Sequence, residues 1–169
     1  MNMKQPNNFW RIKMYPAGNT EWGEDHTPWI LQNMRFIGMG SWDDGQDQIR
    51  SFIDIMKVGD IVGVVVKNKP LALVQVTDLA NHINYTRDLG KNYDYIPNEE
   101  DERLKWIIYR RPVRILDWNI AGMPEITQER STTLVRCDNK SAPSNVVIID
   151  WFEHVKESFK ARGLLHLLS

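Results

Sequence analysis

The chain has 169 residues, 42% of them hydrophobic, with a net charge of -1, seven tryptophans and one cysteine. Such a length supports one domain with a proper core and is short for two. The near-neutral charge excludes a global attraction to nucleic acid, and the lone Cys137 excludes an internal disulfide or a multi-thiolate zinc site. No run approaches the roughly 18 to 20 apolar residues that span a bilayer, and the start lacks a signal-peptide core, so a cytoplasmic protein is expected.

In chain order, residues 1–8 read as a disordered lead-in to a domain over 9–169. Phe9 to Tyr15 alternates apolar and basic residues, the period of a half-buried strand. A tryptophan-bearing loop is expected from Asn19 to Pro28, and a short apolar run from Met34 ends in Gly40, Ser41 and Trp42. Ile49, Phe52, Ile53 and Met56 then recur at helical spacing and predict one buried stripe, with Gln48 on the exposed side. Lys57 to Asp60 forms a turn, after which Ile61–Val66 and Leu71–Val76 read as a central hairpin joined through Lys67–Pro70.

From Thr77 to Glu102 the chain is polar and is expected to be a long loop, the kind that lines binding sites. Leu104–Tyr109 and Val113–Trp118 read as two strands joined at Arg110, Arg111 and Pro112, and Thr132–Cys137 as another. Val146–Ile149 fits a short strand or the start of a helix. Asp150 and Glu153 have capping-box spacing and predict a C-terminal helix over about residues 150–162. The expected fold is α+β: a single domain with a strongly curved mixed sheet approaching a small barrel, flanked by helices.

Catalytic patterns are sparse. His26, His82, His154 and His166 show no metal-ligand spacing and read as surface or loop histidines, Cys137 as a small buried hydrophobe. Gly38 and Gly40 lack the lysine and spacing of a phosphate loop, and Pro97 to Lys105 reads as a solvated charge run. No metal or cofactor is expected.

A binding role fits the residues better. Trp42, at a glycine-loosened strand end, is the lead candidate for stacking on a ligand; filling the core is its alternative role. Trp10, Trp22, Tyr85, Tyr93 and Tyr95 gather around the first strand and the two expected loops, with Arg11, Lys13, Arg35, Arg87 and Lys91 among them. Rings that stack on bases and cations that hold phosphates are what a nucleic-acid pocket needs. Trp29, Trp106, Trp118 and Trp151 are assigned to the core.

The order Phe9-Trp10-Arg11-Ile12-Lys13, Gly40-Ser41-Trp42, an amphipathic helix, Met56-Lys57-Val58-Gly59-Asp60, Leu71–Val76 and Arg111–Trp118 resembles the PUA-like superfamily. The nearest groups are the EVE and YTH-type readers, including specificity domains of McrB-type modification-dependent restriction systems. The resemblance implies a modified base, flipped into an aromatic cage. Trp42 would be one wall, with Ser41 and Asp43 contacting the base edge; the phosphate contacts expected from the residues themselves are Arg11, Lys13, Arg35, Arg87 and Lys91. The second wall stays open among Tyr85, Tyr93, Tyr95, Trp10 and Trp22. It further implies modified DNA over RNA as partner, with a motor or nuclease subunit encoded separately. Two rivals are an ASCH-like amidohydrolase of modified nucleosides, using Lys13 or Lys57, and a protein-interaction module.

Overall fold

The computed structural model describes residues 8–16, 18–83, 94–96, 99–120, 122–126 and 132–168, with backbone alone for 81–83 and 94–96. The strands are β1 (Phe9–Lys13), β2 (Phe36–Met39), β3 (Ile61–Val66), β4 (Lys69–Val76), β5 (Asn81–Ile83), β6 (Asp94–Ile96), β7 (Tyr109–Trp118) and β8 (Leu134–Arg136). The helices are α1 (Thr20–Asn33), α2 (Gln46–Arg50) and α3 (Pro143–Ala161). Hydrogen bonding orders the strands β6-β5-β7-β4-β3-β1-β8, with β2 also on β7. The β1–β3 and β5–β6 pairs are parallel and the others antiparallel. The sheet is therefore mixed, and six of its strands curl through 231° into a half-barrel, as the α+β expectation required.

Alternation along β1 divides the molecule into two apolar layers. Trp10 and Ile12 point into the concave side, packed with Val62, Val64, Val74, Val76 and Phe52. Phe9 points to the other side, where its ring meets Phe152 of α3 edge-on at 5.6 Å, within a cluster that includes Ile148 and Trp151. Helix α3 can lie this close because of Gly63, where a Cβ would fall 2.3 Å from Ile148 Cδ1.

The turn before β3 is built on Asp60. This wholly buried carboxylate accepts the Trp10 indole N–H at 2.9 Å, the Lys57 backbone N–H at 3.0 Å and the Asn8 backbone N–H at 3.2 Å. Asn8 is thus tied to the fold and does not belong to the lead-in, while residues 1–7 lie outside the described residues. The expected hairpin is present, but its turn is only Lys67-Asn68, both with positive φ, and Pro70 falls inside β4.

The predicted apolar stripe is buried along its length, with Ile49, Phe52, Ile53 and Met56 each 6% exposed or less. The helix is not regular: α2 runs into a π turn over Ser51–Ile55, and the Arg111 guanidinium donates to the carbonyls of Phe52 and Met56 at its end. These are carbonyls that a helix end leaves without intrahelical partners. Gln48 is not a free surface residue either, since its side-chain oxygen accepts the Leu134 N–H at 2.8 Å.

Four expectations are corrected. The segment from Asn19 to Pro28 is the N-cap and first part of α1: the Asn19 side chain accepts the Trp22 N–H, and Pro28 lies within the helix and forfeits one N–H bond. The hydroxyl of Thr27, bonded to the Met14 carbonyl at 2.6 Å, ties this helix to the end of β1. Leu104–Tyr109 is mainly turns, and Arg110, Arg111 and Pro112 lie inside the ten-residue β7. The Thr77–Glu102 segment contains β5 and β6, which pair in parallel. Helix α3 starts at Pro143, so Asp150 and Glu153 are mid-helix and cap nothing. Proline at the first helical position suits a helix start, because its missing N–H would be unpaired there anyway. No helix among the described residues is long and apolar enough to cross a membrane.

Two stability comparisons follow from these contacts. Asp60→Ala strands several N–H donors, each costing roughly 1–3 kcal/mol when buried, so urea titration should show a loss of about 3 kcal/mol or more. Phe52→Ala should cost about 3–5 kcal/mol through lost burial and cavity formation. Gln48→Ala, which removes one hydrogen bond, should cost about 1 kcal/mol. Equal midpoints for the Phe52 and Gln48 variants would contradict this placement.

Candidate functional site

Trp42 stands just beyond β2 with extended backbone (φ -151°, ψ 153°), immediately before a short 3-10 turn at Asp43–Gly45. Its indole is half-buried against the concave core and lies over Gly45, so that a Cβ at position 45 would fall 1.9 Å from Cε2. The backbone is pinned as well: the Trp42 carbonyl accepts the Gly45 N–H and the Gln46 side-chain amide, both at 3.1 Å. A ring seated this way is a rigid aromatic platform whose remaining surface is accessible. Ser41 and Asp43 flank it, and both are exposed.

Next to Gly40, two residues before Trp42, lies a second aromatic group, of which the sequence assigned Trp29 and Trp106 to the core. The missing side chain of Gly40 faces Trp106, with a Cβ position 3.6 Å from that ring. Trp106 meets Trp22 edge-on at 5.2 Å, and Trp22 in turn packs on His26 at 5.1 Å. Further along α1, the Arg103 guanidinium lies 3.7 Å from the centre of the Trp29 ring. Trp22, Trp29, Trp106 and Trp118 are half-buried at the rim of the core, whereas Trp151 is buried as expected. The Trp106 Nε1–H is buried without a partner, a cost of roughly 1–3 kcal/mol that simple core packing would avoid. The signal for this group was the spacing Trp22, His26, Trp29, one stripe once residues 20–33 are helical.

Other predicted site residues fall elsewhere. Trp10 is 1% exposed and donates to Asp60, so it is a core residue and forms no cage wall. Arg11 and Lys13 alternate with Trp10 and Ile12 on β1 and therefore sit on the α3 side of the sheet, opposite the layer that supports Trp42. They are removed from the phosphate contacts of a Trp42-centred pocket. Arg35 is exposed between α1 and β2, at φ 54°. Tyr85, Arg87, Lys91 and Tyr93 lie outside the described residues, and of Tyr95 only its backbone place in β6, opposite His82, is described.

Of the two alternative lysines of the amidohydrolase reading, Lys57 is exposed in the turn before β3 and Lys13 lies on the outer face of the sheet. No metal-holding group of His, Cys, Asp or Glu occurs among the described residues. Cys137 is buried, and burial pushes its thiol up to about 11. The acidic run is only partly a solvated one: Asp101 pairs with Arg103 and Glu102 with Lys105, but Glu99 binds the buried Arg110 at 2.7 Å. No family model, curated protein or solved structure matches the chain.

The seating of Trp42 on Gly45 is testable without a ligand. Gly45 has φ -101° and ψ 10°, which alanine tolerates, so Gly45→Ala should displace the indole at little cost to the backbone. In protein labelled with fluorotryptophan, the Trp42 fluorine resonance, assigned by its loss in Trp42→Phe, should move strongly in Gly45→Ala. An unmoved resonance would mean that the ring does not rest on this glycine.

Proposed function

We propose that the protein is a cytoplasmic reader of a modified, methylated base, which it holds flipped out of the strand against Trp42. The observation that carries this reading is the Trp42 platform: an indole seated on Gly45, pinned through its backbone and accessible on its remaining surface. A flipped base forfeits a few kcal/mol of stacking and pairing, and stacking on fixed aromatic surfaces offsets that loss. Trp106, beside Gly40, supplies a second aromatic surface, supported in turn by Trp22. The Asp43 carboxylate, which is exposed, would accept a hydrogen bond from an exocyclic amine and so favour bases that carry one.

The curved α+β sheet and the motifs around Trp42 and Asp60 support a PUA-like, EVE or YTH-type assignment. The reading extends to modified DNA over RNA as ligand and to a specificity role in a restriction or antiphage system. With a net charge of -1, the domain is expected to bind modestly alone and to draw on a separately encoded motor or nuclease subunit for further affinity. A methyl group filling an apolar recess contributes only about 1–3 kcal/mol of discrimination.

Titration of modified and unmodified oligonucleotides, single and double stranded, against wild type, Trp42→Phe and Trp42→Ala tests the proposal. Trp42→Ala should lose about 1–3 kcal/mol of binding, the range for one base–aromatic stack, and Trp42→Phe should keep part of it. Both should melt close to wild type. A Trp42→Ala protein that binds a modified oligonucleotide undiminished refutes the site, and one that unfolds assigns the indole to the core instead.

A further inference from the structure

Beyond β7 the chain stays tied to the β3–β4 hairpin. The Asn119 side chain donates to the Pro70 carbonyl at 2.7 Å and accepts the Met123 N–H at 3.0 Å, and the Ile126 N–H donates to the Asn68 carbonyl at 2.6 Å. Between these anchors Gly122 takes φ 71°, in the left-handed region that favours glycine. The stretch so held faces α3 across a cavity of about 430 Å³. On α3 the lining recurs at helical spacing, from Val146 through Asp150 to His154; opposite it are the end of β7 and residues up to Pro124.

The wall of this cavity is mostly apolar and carries two carboxylates. Trp118, Met123 and the buried Trp151 supply ring and thioether surface, while Ile120, 90% exposed, marks the open side. The carboxylates are Asp117 and Asp150, and among the described residues no lysine or arginine lines the cavity. Asp117 already accepts the Trp151 indole N–H at 2.7 Å. Asp150 is exposed and forms no ion pair, either with His154 one turn away or with any other described residue. A largely apolar cavity of this size with a few convergent polar groups is the usual form of a small-molecule site.

We propose that this cavity binds a small organic amine with an aromatic body of one or two rings. Asp150 takes the ammonium group and the apolar wall takes the body, whose contact with Ile120 also removes an exposed apolar side chain from water. The charge of the ligand follows from the wall. A neutral ligand would strip water from Asp150 without replacing its hydrogen bonds, and a phosphate or carboxylate would be repelled by both carboxylates. A cation is attracted by them and by the electron-rich faces of nearby indoles. The site is independent of the base-reading proposal, since neither Trp42 nor Trp106 lines it.

The test compares three probes that differ only in their side-chain end: tryptamine, its neutral alcohol analogue indole-3-ethanol, and the anionic indole-3-propionate. Each is titrated into the 169-residue chain at constant ionic strength and followed by nitrogen-15 NMR of the Trp118 and Trp151 indole N–H groups, assigned from the Trp→Phe variants. Tryptamine should give saturable shifts of both resonances, the alcohol should bind about fivefold more weakly, the factor for one solvent-exposed ion pair, and the propionate should give none. Asp150→Asn should lower tryptamine to the affinity of the alcohol. Val146→Phe, which fills the cavity from a residue outside both core clusters, should abolish the shifts and melt close to wild type. Because the Asp150 side chain is exposed and unpaired, Asp150→Asn decides the matter even if Val146→Phe disturbs the helix. Equal binding of the amine and the alcohol, tryptamine affinity unchanged in Asp150→Asn, or no saturation by about 10 mM would overturn the proposal. Loss of oligonucleotide binding in Trp42→Ala would leave it untouched.

Discussion

The hydrogen bonds to Asp60 are the constraint on which the rest of the structure depends. A carboxylate taken wholly out of water is destabilising unless donors surround it, and here the donors come from three separate places: the lead into β1, the Trp10 indole and the turn that Asp60 itself ends. Because β1 and β3 are parallel, no tight turn can set their register, and this polar cluster at their shared end does so instead. The Lys57–Asp60 motif is therefore architectural. Its link to the ligand platform is indirect: the same turn ends the π segment that Arg111 ties down, and that segment leads back through α2 to Gly45 and Trp42.

The curved sheet separates two kinds of chemistry. On the concave side, tryptophans at the rim of an apolar core present ring faces, with glycines at 40 and 45 giving the rings room to lie close to the backbone. On the outer side, under α3, polar side chains lie among the apolar ones: Arg11 donates to Asn145 and the Trp151 indole to Asp117. One strand serves both. The period of two in β1 sends Trp10 and Ile12 inward and Arg11 outward, so residues adjacent in sequence belong to different surfaces. An aromatic and basic cluster in the sequence is consequently split by the thickness of a sheet.

Proximity in sequence also misled the reading of several elements. The segment from Asn19 to Pro28 has the composition of a loop, yet Asn19 caps a helix and Pro28 is carried within it, because Ile30, Leu31 and Thr27 find burial against β1 and the core. Arg110, Arg111 and Pro112 look like a break between strands; they continue β7 because the two guanidinium groups have carbonyls and Glu99 waiting for them. Asp150 and Glu153 imitate a capping box, but α3 already runs through them from Pro143, held by Ile148 over Gly63. In each case long-range contacts outweighed a local signal.

What the sequence determined by itself was local or periodic: the β3–β4 hairpin, though over a tighter turn than Lys67–Pro70, the buried stripe Ile49, Phe52, Ile53 and Met56, the curved α+β class, and Trp42 as a ring just past a strand end at Gly40. These follow from spacing and backbone preference, which neighbouring residues carry among themselves. The tertiary structure alone decided which tryptophans are core and which are surface, that Trp10 answers to Asp60, that Trp106 stands beside Gly40, and that Arg11 ends against the first turn of α3. Those facts depend on contacts between residues 50 to 134 positions apart, whose partners no local pattern specifies.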